Sequence, residues 1–146
     1  MIIGVTGKIA TGKSSVSSIL ERKGYFLFDS DVVYHRLLKE NADLKKELTD
    51  FLGMDIEANN EIDTGRMIKK INQENIGKLN DITHKYVINE ITETIRQYDN
   101  IVIEAAIPVK IGFIDVCDKI VTTVCTPKVQ LERLKKRNKY TENDLL

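Results

Sequence analysis

The segment "GVTGKIATGKSS" at residues 4–15 constrains this chain more than any other stretch. Within it, Gly7-Lys8-Ile9-Ala10-Thr11-Gly12-Lys13-Ser14 matches G-x-x-x-x-G-K-[ST], the Walker A phosphate-binding pattern. The apolar run "MIIGV" before it suits a buried parallel strand, and Val16, Ile19 and Leu20 after it keep helical spacing. A strand, a glycine loop and a helix in that order turn backbone N–H groups and a helix N-terminus toward an anion. The loop through Ser15 is therefore expected to hold ATP. Lys13 would reach the β- and γ-phosphates, and the Ser14 hydroxyl would ligate the accompanying Mg²⁺ directly.

Beyond the loop the pattern alternates. Gly24 is a C-terminal cap candidate, and "YFLFD" reads as a second buried strand ending on an acid. Residues 31–52 read as helix, split in two near Asn41 and Asp43 and closed by Gly53. Residues 54–62 read as a polar loop, and Asp63 or Thr64 then caps a short helix carrying Met67, Ile68 and Ile71. A longer helix carries Leu79, Ile82, Tyr86, Ile91 and Ile95. "IVIEAAI" (101–107) and "KIVTTVC" (119–125) are two more buried-strand candidates, and Thr126-Pro127 opens a last helix. Strands alternating with helices predict an α/β fold: a three-layer sandwich on a parallel sheet, with a helical sub-region to one side.

Composition narrows the class. With 146 residues the chain fits one domain, and 42% hydrophobic with 30% charged residues is an ordinary globular balance. Lys plus Arg equals Asp plus Glu at 22 each, which argues against a nucleic-acid-coating protein. No apolar run approaches the roughly 20 residues that span a bilayer, and the start shows no basic segment with a cleavage site, so the cytoplasm is expected. Cys117 and Cys125, with seven residues between them, match no zinc or redox motif and are expected to be buried thiols.

The remaining chemistry lies at predicted strand ends, where ligands of open α/β sheets bind. Asp29-Ser30-Asp31 ends the second strand. One carboxylate there can order the water shell of the metal and the other can take a proton from an acceptor hydroxyl; the same residues can also simply cap the next helix. Glu104 ends "IVIE", the setting of a Walker B acid, and either holds a water on Mg²⁺ or caps the strand end. A guanine-selecting N/T-K-x-D stretch is missing, as is the apparatus of a motor ATPase, which leaves a nucleotide or metabolite kinase.

The order "GVTGKIATGKSS", "FDSDVV", "CTPKVQLERLKKR" resembles the dephospho-coenzyme A kinase family from residue 1 to the end of the chain. That family shows T-G-G-I-G-S-G-K-S, a D-A-D signature on the second strand, and a lid with Gln-x-x-Arg. The resemblance implies Thr6 as the active-site threonine, Asp31 as the base, and Arg133 and Arg137 as lid arginines meeting the phosphates. It also implies Thr6, Asp29, His35 and His84 on the acceptor side, the two histidines having structural readings as well. Lys135 and Lys136 are expected to be solvated. Departures are Lys8, Ala10 and Thr11 in the loop, His35 at a position often basic, His84-Lys85 for His-Pro, and Ala106-Ile107-Pro108-Val109-Lys110 for P-L-L-x-E. Family members run about a third longer, with the rest of the lid, a last strand and a closing helix, so the chain is expected to be a fragment or a shortened form.

The resemblance implies one domain over 1–146: a core at about 1–30 and 100–127, a helical acceptor region at about 31–99, and the start of a lid at about 128–146. It implies ATP-dependent phosphorylation of the 3′-hydroxyl of dephospho-CoA, with Mg²⁺, ATP and dephospho-CoA as cofactor and substrates. Neither a nucleic acid nor a membrane is expected as partner, and a monomer is expected. The alternatives are another small P-loop kinase for nucleosides, nucleotides or metabolites, and a truncated ATP-binding module without catalysis.

Overall fold

The computed structural model describes residues 1–106 and 113–136. The elements run β1 (Ile2–Gly7), α1 (Lys13–Arg22), β2 (Phe26–Asp29), α2 (Ser30–Glu40), α3 (Ala42–Leu52), β3 (Glu57–Ala58), β4 (Glu61–Ile62), α4 (Thr64–Lys70), α5 (Ile76–Gln97), β5 (Ile101–Glu104), β6 (Lys119–Thr123) and α6 (Pro127–Lys136). Four strands form a parallel sheet in the order β2-β5-β1-β6. This is the expected α/β architecture.

Strand alternation explains the layers, because successive side chains leave a strand on opposite faces. Ile3, Val5 and Val102 pack on one face with Val16 and Leu20 of α1. Phe28, Ile101 and Ile103 pack on the other with Leu37 and Leu38 of α2, Leu44 and Leu48 of α3, and Leu79, Val87 and Ile91 of α5. Ile101, Val102 and Ile103 have no exposed surface. Each such side chain contributes about 1.5–3 kcal/mol through burial.

The local signals mostly act where expected. The Asn41 side chain accepts from the Leu44 N–H and starts α3, which splits the 31–52 helix. Asp63 does the same for α4, accepting from the Arg66 N–H. The Val129 N–H donates to Thr126 Oγ1 at the head of α6.

Four expectations are corrected. "YFLFD" forms a strand but not a buried one: Phe26 is exposed and, of Phe26–Asp29, Phe28 alone is buried, because β2 stands at the edge of the sheet among the described residues. Residues 54–62 are not a plain loop: a 3₁₀ turn (Met54–Ile56) leads into the β3–β4 hairpin, whose Asn59 and Asn60 both take positive φ, 53° and 64°. Asparagine tolerates that conformation in a tight hairpin turn. "KIVTTVC" is a strand but not a buried one. Lys119, Ile120, Val121 and Thr122 are exposed, because β6 pairs with β1 on one side and, among the described residues, no strand pairs with its other edge. Cys117 and Cys125 are free and half-buried rather than buried. Burial, with Asp118 adding to it, pushes the Cys117 thiol up to about 11, which keeps it protonated and unreactive.

Candidate active site

The loop closes over the ends of β1 and β6. Gly7 has φ 145°, and a Cβ there would stand 2.3 Å from Thr123 Oγ1 and 2.4 Å from the Thr123 carbonyl oxygen. Only glycine fits. Ala10 is buried with φ 60°, and Gly12, with φ 108°, leads into α1. Lys13 Nζ donates to the carbonyls of Gly7 at 3.1 Å and Lys8 at 3.3 Å, so the ammonium lies folded over the loop. The N–H of Ser15 donates to Gly12 O, while Lys8 and Ile9 are exposed at the rim.

The acids converge as their strand ends require. Asp29 and Glu104 are register partners in the β2–β5 ladder, and Val5 of β1 pairs with Glu104. Glu104 is buried and accepts from the Ser14 hydroxyl at 2.9 Å, across a sequence gap of 90 residues. Asp29 Oδ1 accepts from the backbone N–H groups of Asp31 and Val32, so the capping role is real. Its other carboxylate oxygen takes no part in those two bonds.

A cleft of about 210 Å³ opens beside these acids, between α2 and α5. Ser30, Asp31 and Tyr34 line it from α2, and Leu79, Asn80, Thr83, His84 and Val87 from α5. Ala105 and Ala106 close the end next to β5. Asp31 is exposed at this cleft and His84 half-buried in its wall. His35 is not in the lining; its exposed ring lies against Tyr34, with centroids 5.8 Å apart. Lys85, which replaces the proline expected after the histidine, turns away and donates to Glu47 of α3 at 2.6 Å. Tyr86 donates to the same carboxylate at 2.7 Å.

A second pocket, about 500 Å³, lies over the loop and is lined by Thr6, Gly7, Lys8, Thr11, Thr123 and Gln130 among others. Thr6 is buried at the end of β1. Helix α6 reaches onto this pocket's edge: Gln130 Nε2 donates to Ile9 O at 2.8 Å and Arg133 Nη1 to Ala10 O at 3.1 Å. Lys136 is exposed as expected, and Arg137 lies outside the described residues, as do Ile107, Pro108, Val109 and Lys110. Sequence reasoning gave no site role to Tyr34, Asn80, Thr83, Thr123 or Gln130. The i, i+1, i+4, i+5, i+8 stripe Leu79, Asn80, Thr83, His84 and Val87 was the available signal for the α5 wall.

A strand–loop–helix phosphate cradle with a lysine, a serine–glutamate pair and an adjoining cleft defines a P-loop nucleotide-binding protein with room for a second substrate. The dephospho-CoA kinase family model matches residues 1–146. The chain belongs to that family. It is 29% identical over 150 residues to the dephospho-CoA kinase of Lactobacillus johnsonii, covering 97% of this chain and 76% of the relative. It is 33% identical over 143 residues to that of Fusobacterium nucleatum, covering 95% and 74%. Among solved structures, a Thermus thermophilus protein superposes with TM-score 0.80 at 19% identity, covering 99% of this chain and 76% of that one. Dephospho-CoA kinase from Campylobacter jejuni superposes with TM-score 0.66 at 21% identity and the same coverage. These structural likenesses establish the shared fold. No helix among the described residues is long and apolar enough to cross a membrane.

Proposed function

We propose that the chain transfers the γ-phosphoryl group of ATP to the 3′-hydroxyl of dephospho-CoA, giving coenzyme A. One observation carries the placement of the chemistry: Ala106, just past the end of β5, lines both the loop pocket and the cleft. Donor and acceptor volumes meet there, and Asp31 stands on the acceptor side of the junction.

The residues then divide the work. The Gly7–Ser15 backbone holds the donor phosphates, and Lys13 leaves the Gly7 and Lys8 carbonyls to neutralise them. Asp31 accepts the proton of the attacking hydroxyl. Arg133 needs only to exchange the Ala10 carbonyl for a phosphate oxygen, and Arg137, four residues on in the sequence, would share that charge. Thr6 at the end of β1 and Asp29, His84 and His35 on the acceptor side would orient the substrate. Of these, His35 lies outside the cleft lining and would act from its rim.

The donor set fits Mg²⁺, a hard cation that takes oxygen ligands: the Ser14 hydroxyl directly, with Asp29 and Glu104 through water. Bound with ATP, it would neutralise phosphate charge as the group transfers.

We read the chain as one kinase domain, with its core at about 1–30 and 100–127, an acceptor region at about 31–99, and a lid beginning near 128. A monomer in the cytoplasm completes the reading, with no membrane partner and no nucleic-acid partner, the last supported by the zero net charge.

The test is ADP release across a panel of acceptors, run for the wild type and for Asp31→Asn. Dephospho-CoA should exceed nucleosides, nucleotides and sugar acids. The variant should lose about 10²–10⁴-fold in kcat, with ATP KM little changed. Equal turnover on every acceptor defeats the substrate assignment, and unchanged kcat in the variant removes Asp31 as the base.

A further inference from the structure

Two threonines stand over Gly7. Thr11 Oγ1 lies 2.7 Å from Lys8 O, Thr123 Oγ1 lies 3.1 Å from Thr6 O, and the two hydroxyl oxygens are 2.7 Å apart. Three oxygen–oxygen contacts are thus served by two hydroxyl protons. Each hydroxyl has one proton to give. If each gave it to its own carbonyl, the two hydroxyl oxygens would face one another lone pair to lone pair at 2.7 Å. One hydroxyl must therefore donate to the other, and one carbonyl goes without a hydroxyl proton.

The two arrangements differ at the lysine. In the first, Thr123 donates to Thr11, and Thr11 donates to Lys8 O. In the second, Thr11 donates to Thr123, Thr123 donates to Thr6 O, and Lys8 O is left to Lys13 Nζ at 3.3 Å and the Thr11 N–H at 3.4 Å. Lys13 must leave Lys8 O when it turns to a phosphate. The first arrangement then supplies Lys8 O with a replacement donor, without any backbone movement.

We propose that Thr123 is a positioning residue for the donor nucleotide. Its hydroxyl, with that of Thr11, forms a two-proton relay that holds the Lys8–Thr11 arc in shape while Lys13 moves from loop carbonyls to phosphate. The relay ties the loop to the end of β6, whose ladder with β1 runs up to the Gly7–Thr123 pair. It rests on the reading of the loop as the ATP site.

The variants Thr123→Ser and Thr123→Ala both lack the γ-methyl, and only the serine keeps the hydroxyl. Valine is avoided because a methyl in place of the hydroxyl would stand 2.7 Å from Thr11 Oγ1. The measurement is ATP affinity of the whole chain by direct titration without acceptor, beside KM for ATP and for dephospho-CoA. Thr123→Ala is expected to weaken ATP about ten-fold, the effect of losing one such hydrogen bond. Thr123→Ser should stay within about two-fold, and dephospho-CoA KM should not follow. Equal ATP affinity for alanine and serine overturns the relay, as does a parallel rise in both KM values. If Thr123→Ala does not fold, Thr11→Ser and Thr11→Ala read the same bond from the loop, with the same outcomes deciding. Poor transfer to dephospho-CoA by the wild type would defeat the acceptor assignment and leave the ATP titration standing. A wild type that binds no ATP would defeat the loop reading and the relay together.

Discussion

The donor loop and the acceptor cleft are built from different materials. The loop is a backbone structure: its shape rests on Gly7 at φ 145°, Ala10 at φ 60° and Gly12 at φ 108°, and its bonds run largely to carbonyls. The cleft is a side-chain structure, in which two helices from different parts of the chain each contribute one stripe. A backbone site tolerates little at a few positions and much elsewhere. A side-chain site spreads its requirements thinly. Lys8 and Ala10 fit the loop because the glycine pressed against β6 is Gly7, and Thr11, where the family pattern has serine, keeps a hydroxyl that meets Thr123 of β6.

The largest effect should therefore follow a single methyl in the loop. Gly7→Ala puts a Cβ 2.4 Å from a backbone oxygen in a conformation that L-residues rarely adopt. Backbone strain and overlap together should cost kcat/KM about 100-fold or more. Most of the loss should appear as ATP affinity, measured by titration beside a melting curve that separates loop damage from global unfolding. Wild-type ATP affinity in this variant would show that the loop adapts, and the contrast with the cleft would fall.

A smaller, opposite signature is expected from the cleft. Tyr34 lines it, and burial raises the Tyr34 hydroxyl above its ordinary value, so it stays protonated and able to donate near neutral pH. Tyr34→Phe removes only the oxygen. Dephospho-CoA KM should rise about 2- to 10-fold while ATP KM holds. A change confined to ATP would mean that the two volumes are not functionally separate.

The same difference explains what was legible in the sequence. Loop, strand and helix order followed from glycine spacing and apolar periodicity, and Asn41, Asp63 and Thr126 announced their helix starts. The Ser14–Glu104 bond was approachable because both residues sit at a strand or helix end beside the loop. The cleft was less visible, since pairing Tyr34 with Asn80 and Thr83 depends on how α2 crosses α5. The exposure of β6 was hidden for a related reason. An apolar run such as "KIVTTVC" records that a strand forms, whereas its burial depends on what pairs and packs beside it. The Asn59–Asn60 turn did carry a local signal, but two-residue strands are too short for alternation to show.

The smallest effect tests whether the cleft's outer wall is held by charge. Glu47 of α3 accepts from both Lys85 and Tyr86 of α5. The Lys85 hydrogen bond, then that of Tyr86, holds the Glu47 carboxyl below its ordinary range. A carboxylate whose folded pKa lies below its unfolded value stabilises the fold above the unfolded pKa and loses that contribution as pH falls through the folded pKa. Glu47→Gln should therefore lower the melting temperature slightly at neutral pH, and the gap to wild type should close in acid. Tyr86 adds the alkaline limb. Burial first, and Glu47 second, push its hydroxyl up to about 12, so the folded state resists ionisation. Its stabilisation is complete below the ordinary tyrosine value of 10.0 and is lost as pH rises toward 12. In Glu47→Gln that alkaline loss should still begin near pH 10 but end sooner, because one cause of the raised folded value is gone. Melting curves across pH would then show wild type and variant converging at both extremes. A gap independent of pH would assign the wall to packing of Leu44, Leu48 and Val87 rather than to the charged pair.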